Sequence, residues 1–281
     1  MVLGCLKDLS KVEDFMQTAD LLIIAGSRVR GHETRDFELK LPKNRVQIDI
    51  NPAANGRTYS TAQFICADAQ TTLAELADQL EGRIGVEQKF AEEIGTLKAE
   101  VVKDYEELLG PYGSFAQQLR NVMPRDAIWV RDITLNNSTW GNRTFPVTSP
   151  KNHVFALGAA IGLGVAHGIG AAVAAPDRKV VCMCGDGGFF MGFADFWTAT
   201  QERADIVFLV MNDGGYGVIK HIQDTFHDGR HFFADFAHPS LEGCAELAKM
   251  PYWKVESAAN LTAHVQEALD VNGPALVEVD M

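Results

Sequence analysis

Two acidic turns, each closing an apolar run, constrain this chain more than any other feature. Gly185-Asp186-Gly187-Gly188 follows the run 179–184, and Asn212-Asp213-Gly214-Gly215-Tyr216 follows the run 206–211. Asn212 lies 27 positions after Gly185, which leaves room for one crossover helix and a second strand and little else. A β–α–β crossover is right-handed and sets its strands parallel, so both turns emerge at the same carboxyl edge of one sheet. Open α/β sheets take their ligands at that edge. Either tetrapeptide alone reads as an ordinary turn. Paired, each at the end of a strand, they read as a site in which Asp186 and Asp213 converge with the carbonyls of a glycine turn. Hard oxygen donors of this kind suit Mg²⁺, with phosphate oxygens and water completing its shell. Gly187 and Gly188 open the next helix, so their N–H groups and the helix N-terminus can face an anion.

The rest of the chain alternates in the same way. Residues 1–85 carry strands expected at 21–25, 46–50 and 64–67 and a helix at 71–80, a partial domain with a parallel sheet. About half of such a domain is present, so strands 21–25 and 46–50 are expected to lack neighbours and expose apolar edges. Residues 86–112 are charge-rich and end in Gly110-Pro111, a linker with one solvated helix. From 113 to 281 the pattern predicts a helix at 114–123, a strand at 127–133, a glycine-rich helix within 154–175 and a strand at 179–184. A helix at 190–203, a strand at 206–211 and a helix from Tyr216 follow, then a helix at 261–269 and a strand at 275–279. The fold class is α/β with doubly wound parallel sheets.

Composition removes several alternatives. A net charge of −12 excludes a nucleic-acid backbone as the main partner, though not an anionic cofactor whose charge a metal and backbone N–H groups meet locally. Cys5, Cys66, Cys182, Cys184 and Cys244 show neither zinc-knuckle nor redox-dithiol spacing and read as reduced thiols of a cytoplasmic protein. Residues 1–6 are too short for a signal peptide before Lys7 and Asp8. Residues 154–175 are long enough to span a bilayer, yet five glycines and abundant alanine suit a helix packed closely on a sheet, and no membrane is expected. No Gly-x-Gly-x-x-Gly follows the first strand, which argues against a nicotinamide or flavin protein.

The paired turns resemble the diphosphate-binding signature of thiamine diphosphate-dependent enzymes of the pyruvate decarboxylase, acetolactate synthase and benzoylformate decarboxylase type. That signature begins Gly-Asp-Gly and closes with Asn-Asn or Asn-Asp about two dozen residues later. Further likeness lies in residues 19–28 and in Ile48-Asp49-Ile50-Asn51-Pro52, which resemble the second half of the family's Rossmann-like middle domain. Ala160-Ile161-Gly162-Leu163-Gly164 resembles the stretch that cradles the thiamine. The resemblance implies thiamine diphosphate and Mg²⁺ as cofactors, with Asp186, the Asp213 side chain and the Gly215 carbonyl as metal ligands. Gly185, Gly187, Gly188 and Tyr216 would complete the diphosphate loop. Ile161 would wedge between the cofactor's two rings, and the Ala159 carbonyl would accept from the 4′-amino group. Thr134, Asn136 and Asn137 would donate to the diphosphate. Asp213 stands where many members carry Asn, a charge expected to tighten the metal and weakly repel the diphosphate.

By the same resemblance the chain corresponds to a C-terminal portion, lacking the family's N-terminal domain whose glutamate activates the cofactor. Ile222 also stands where acetolactate synthases carry a tryptophan that selects the second keto acid. The expected activity is decarboxylation or carboligation of a 2-oxo acid, with catalysis dependent on a homo-oligomer or on a partner chain supplying the missing domain. The alternative is a non-catalytic cofactor-binding module. A flavin in the middle domain, FAD in some relatives, stays open with no residue pointing to it. His153 and His221 flank the cradle and the second turn and are candidates for proton transfer. His227 and His231 have a helical ligand spacing, but Gly229 between them points to a loop.

Overall fold

The computed structural model describes residues 9–281 apart from 86 and 236, and the backbone alone at 32. Cys5 and the expectation for residues 1–6 lie outside the described residues. The chain divides into two compact units, one reaching Tyr105 and one starting at Glu106.

In the first unit, α1 (Ser10–Gln17) precedes a parallel sheet of β1 (Leu22–Ala25), β2 (Arg45–Asp49) and β3 (Gln63–Cys66), in the order β1-β2-β3. β2 is therefore paired on both sides, correcting the expectation that it lacks neighbours; its register runs Ile23↔Val46 and Ile48↔Ile65. β1 is an edge, with Leu21 and Ile23 about half exposed. Asp68 caps α2 (Ala69–Leu80) by accepting the Thr71 N–H at 2.8 Å. The charge-rich segment forms α3 (Gln88–Leu108), a long helix burying only Val101 and Tyr105 and crossing the boundary between the units.

The second unit is built on six parallel strands: β4 (Ile128–Arg131), β5 (His153–Phe155), β6 (Val180–Gly185), β7 (Ile206–Asn212), β8 (Tyr252–Val255) and β9 (Ala275–Asp280). Their order is β5-β4-β6-β7-β9-β8. The central strands are apolar on both faces because both are covered. Val181, Met183, Val207, Leu209 and Val277 face α4 (Phe115–Val122) and α10 (Leu261–Leu269), together with Trp129 and Trp140. Cys182, Cys184, Phe208 and Val210 face α5 (Gly164–Ala174), α6 (Asp186–Met191), α7 (Phe196–Gln201) and α9 (Leu241–Ala248). α8 (Gly217–Phe226) follows the second acidic turn. From β4 the chain moves outward to β5 and then back across β4 to β6. The sheet's direction thus reverses between β4 and β6, which opens a crevice at their carboxyl ends.

Two expected helices are shorter than their sequence patterns. The glycine-rich one begins only at Gly164, because residues 153–155 form β5 and Ala159 (φ +57°) and Gly162 (φ +89°) hold the intervening backbone left-handed. The helix expected at 190–203 is broken into α6, a 3₁₀ turn at Phe193–Asp195 and α7. A side chain at Gly192 would come within 2.7 Å of the Gly162 carbonyl, so the break lets α6 pass under the cradle loop. α5 does lie close on the sheet: a Cβ at Gly168 would stand 2.7 Å from Ile206 Cδ1. Among the described residues no helix is long and apolar enough to cross a membrane.

Candidate functional site

β6 and β7 are neighbours paired in register, Gly185 opposite Met211, so their acidic turns emerge side by side. The Asp186 carboxylate joins them: Oδ1 accepts the Gly187 N–H at 2.9 Å, and Oδ2 accepts the Gly215 N–H at 3.0 Å. Gly187 thus turns its N–H toward Asp186 rather than leaving it free for an anion. The second turn is held on its other flank. Gly215 bridges Asp235, the Tyr216 N–H donates to the Ala234 carbonyl at 2.8 Å, and Lys220 pairs with Asp235 at 2.7 Å. Asp213 folds back over the start of α8, where a Cβ at Gly217 would collide with its Oδ2 at 2.1 Å.

Asp186 is almost wholly buried. Burial, and after it the Asp213 charge, raise its pKa to about 6. Burial likewise raises Asp213, partly offset by Lys220 and by a hydrogen bond with Asp186. Two carboxylates brought together out of water are an arrangement that a divalent cation relieves. Among the described residues no group of three His, Cys, Asp or Glu side chains gathers, so protein ligands beyond this pair would be backbone oxygens.

The crevice holds about 620 Å³, solvent at its mouth included. Gly185 to Gly188, Asp213, Gly215 and Tyr216 form one side, Thr134 the end of β4, and Ala159 with Ile161 the opposing loop. Gly185 is required by Thr134, whose Oγ1 would lie 2.9 Å from an added Cβ. Ile161 is 37 % exposed, an apolar side chain left standing in the crevice. A cleft lined by an acid pair and by apolar side chains, Ile161 among them, fits an anionic diphosphate–metal group joined to a flat organic moiety.

The comparisons with known proteins agree with that chemistry. Residues 135–279 match the family model described as the thiamine pyrophosphate enzyme C-terminal TPP binding domain, and residues 2–76 match that of the central domain. The chain belongs to the thiamine pyrophosphate enzymes. Within this family it is 26% identical to the acetolactate synthase isozyme 1 large subunit of Escherichia coli, covering 94% of this chain and 47% of that one. It is 25% identical to a probable acetolactate synthase large subunit of Methanococcus aeolicus, with the same coverage, and 26% identical to acetolactate synthase 2 of Nicotiana tabacum, covering 42% of it. The chain spans about half the length of the curated relatives it matches.

Four of the expected site residues lie away from the crevice. The Asn136 side-chain oxygen accepts the Trp140 indole N–H at 2.8 Å, and that of Asn137 accepts from the Arg131 guanidinium; both residues are buried beneath the β4 end. His153 accepts from Arg131 Nε at 2.7 Å, and burial together with that guanidinium lowers its pKa to about 4. It is therefore held neutral with Nε2 occupied by that bond, away from the crevice lining. His221 is exposed on α8, outside the crevice lining. His227 and His231 follow the end of α8, and His231 pairs with Asp224 at 2.7 Å, so their spacing is not helical.

Three residues that carry weight here escape a sequence reading. Asp132, fully buried after β4, accepts the Gly162 N–H at 3.0 Å. His238 stacks on Phe190 and places Nε2 3.6 Å from Asp186 Oδ2 and 3.1 Å from Asn212 Oδ1. Glu278 on β9 accepts from Asn212 Nδ2 at 2.8 Å and from the Tyr252 hydroxyl at 2.5 Å. None sits in a glycine turn or a recognisable spacing. Their only signal is a charged or titratable residue at the end of an apolar run.

Proposed function

We propose that this chain is the cofactor-holding portion of a thiamine diphosphate- and Mg²⁺-dependent enzyme that decarboxylates or ligates a 2-oxo acid. The observation that carries this reading is the meeting of Asp186 and Asp213 in one crevice, opposite Ala159 and Ile161. Asp186, Asp213 and the Gly215 carbonyl would hold the metal. Thr134 would donate to the diphosphate, and Ile161 would fix the bent relation of the rings, with the Ala159 carbonyl accepting from the aminopyrimidine. When bound, the cofactor supplies the electron sink that the departure of CO₂ requires. The chain's own contribution is to bind, to orient and, through the apolar Ile161 side, to keep water from the rings. The names of the relatives favour acetolactate synthase-like chemistry. Ile222, in place of their tryptophan, argues for a different acceptor or for simple decarboxylation.

Calorimetry with thiamine diphosphate and Mg²⁺ tests the assignment. Asp186→Ala is expected to abolish metal-dependent binding, since one of two carboxylates is lost. Asp213→Asn keeps a ligating oxygen and is expected to cost about tenfold or less. Unchanged affinity in the alanine variant would refute the metal site. An asparagine as damaging as that alanine would refute the ligand arrangement.

A further inference from the structure

Asp132 is a carboxylate with no exposed surface, and His167 lies near enough to act on it electrostatically. Such a group is costly unless fixed hydrogen bonds meet it. Here backbone donors do so. Its oxygens accept the Ile133 N–H at 2.7 Å and the Gly162 N–H at 3.1 and 3.0 Å, with the Gly164 N–H also directed at it. Its own N–H donates to the Met183 carbonyl at 2.8 Å, which fixes it to β6.

Two neighbours give way to it. A Cβ at Gly164 would stand 2.7 Å from Asp132 Cβ, and one at Gly188 would stand 2.6 Å from Asp132 Oδ2. One side chain therefore touches the start of α5, the first turn of α6 and the loop between β5 and α5. That loop carries Ala159 at φ +57°, a left-handed conformation that a residue with a side chain keeps only when its surroundings impose it. Gly162, three residues on and hydrogen-bonded twice to Asp132, supplies the imposition.

We infer that Asp132 is a positioning residue that sets the Ala159–Ile161 loop against the Gly185–Gly188 turn, and so decides whether the site recognises the ring portion of its ligand as well as the diphosphate. This rests on the reading of the crevice as a thiamine diphosphate site. Asp132 touches no part of that ligand. Its hydrogen bonds run to backbone groups of its own turn and of the ring-side loop, and it meets the diphosphate turn only by packing at Gly188, whereas the proposed metal carboxylates lie on the diphosphate side. Its loss should therefore affect the two halves of the ligand unequally, which loss of general stability would not do.

The test compares thiamine diphosphate with inorganic diphosphate, each with Mg²⁺, on the full chain by calorimetry. The wild type should prefer the complete cofactor. Asp132→Ala should weaken thiamine diphosphate about tenfold or more while changing inorganic diphosphate about twofold or less, as expected for removal of charge-assisted hydrogen bonds on one side only. Asp132→Asn keeps the volume and one acceptor oxygen and should lie between them; it carries the test if the alanine variant fails to fold, as read by far-UV circular dichroism. Equal loss of both ligands, or no loss of either, in the folded variant would overturn the role of Asp132. A wild-type chain without preference for thiamine diphosphate would instead refute the functional reading itself, and this inference with it.

Discussion

At Asp186 the fold holds a carboxylate against its own preference. Burial and then Asp213 raise it to about 6, whereas an unfolded Asp titrates near about 4. A group raised on folding contributes stability below its unfolded value and loses it as pH rises through the folded value. For the metal-free chain that window runs from about pH 4 to somewhat above pH 6. Thermal melts are expected to show a destabilising Asp186 contribution growing across it, seen as a wild-type melting temperature that falls relative to Asp186→Asn. Parallel pH profiles for the two proteins would show that Asp186 carries no such load. Saturating Mg²⁺ should flatten the difference, because the cation favours the ionised pair. Asp186 and Asp213 were legible in the sequence because an acid in a glycine turn after an apolar run is a local pattern. Asp132 was not: after Ile128-Trp129-Val130-Arg131 it reads as the fraying end of a strand, and its partner Gly162 lies 30 positions away. His153 lies off the crevice lining for a related reason. Proximity along the chain to the cradle put it near the site, but β5 lays it beside Arg131 on β4.

Among the elements, the turn after β7 is held from the far side of the sheet. Asn212 donates to Glu278 on β9, which also takes the Tyr252 hydroxyl from β8. The same Asn212 oxygen receives the Gly214 N–H at 3.3 Å. Glu278→Ala would leave a half-buried amide and a half-buried phenol without their acceptor, at a cost of about 1–3 kcal/mol. It is expected to lower the melting temperature and to weaken Mg²⁺ binding together, while Glu278→Gln, which can still accept from Asn212, retains most of both. Stability lost with metal affinity intact would show that the turn needs no support from β9. The long apolar strands and α10 were readable because each presents a sustained pattern of one period. β5, β8 and α9 were not. β5 is three residues long beside a glycine-rich stretch, and β8, Tyr-Trp-Lys-Val, is a short edge whose mixed polarity signals nothing by itself. The break between α6 and α7 was hidden for another reason: residues 190–203 carry a single glycine, Gly192, which a helix tolerates, and its approach to Gly162 is a tertiary contact.

For the molecule as a whole, the proposal predicts that the 281-residue chain alone has no appreciable decarboxylase or carboligase turnover with saturating cofactor and Mg²⁺. The resemblance implies an activating glutamate from another domain, and among the described residues no glutamate lines this crevice. Assays with pyruvate and benzoylformate check it, and turnover that disappears in Asp186→Ala would mean that another acid does that work. Adding, as a second chain, the glutamate-bearing domain that the family resemblance implies is expected to restore activity. The order β5-β4-β6-β7-β9-β8 carries a consequence for synthesis on the ribosome. Thr134, Asp186 and Asp213 are all translated before residue 214, yet β7 pairs on its outer side with β9, which also brings Glu278. A nascent chain therefore carries both proposed carboxylate ligands while its site is still unbuilt. Assembly waits for β9, which contains none of the proposed metal ligands.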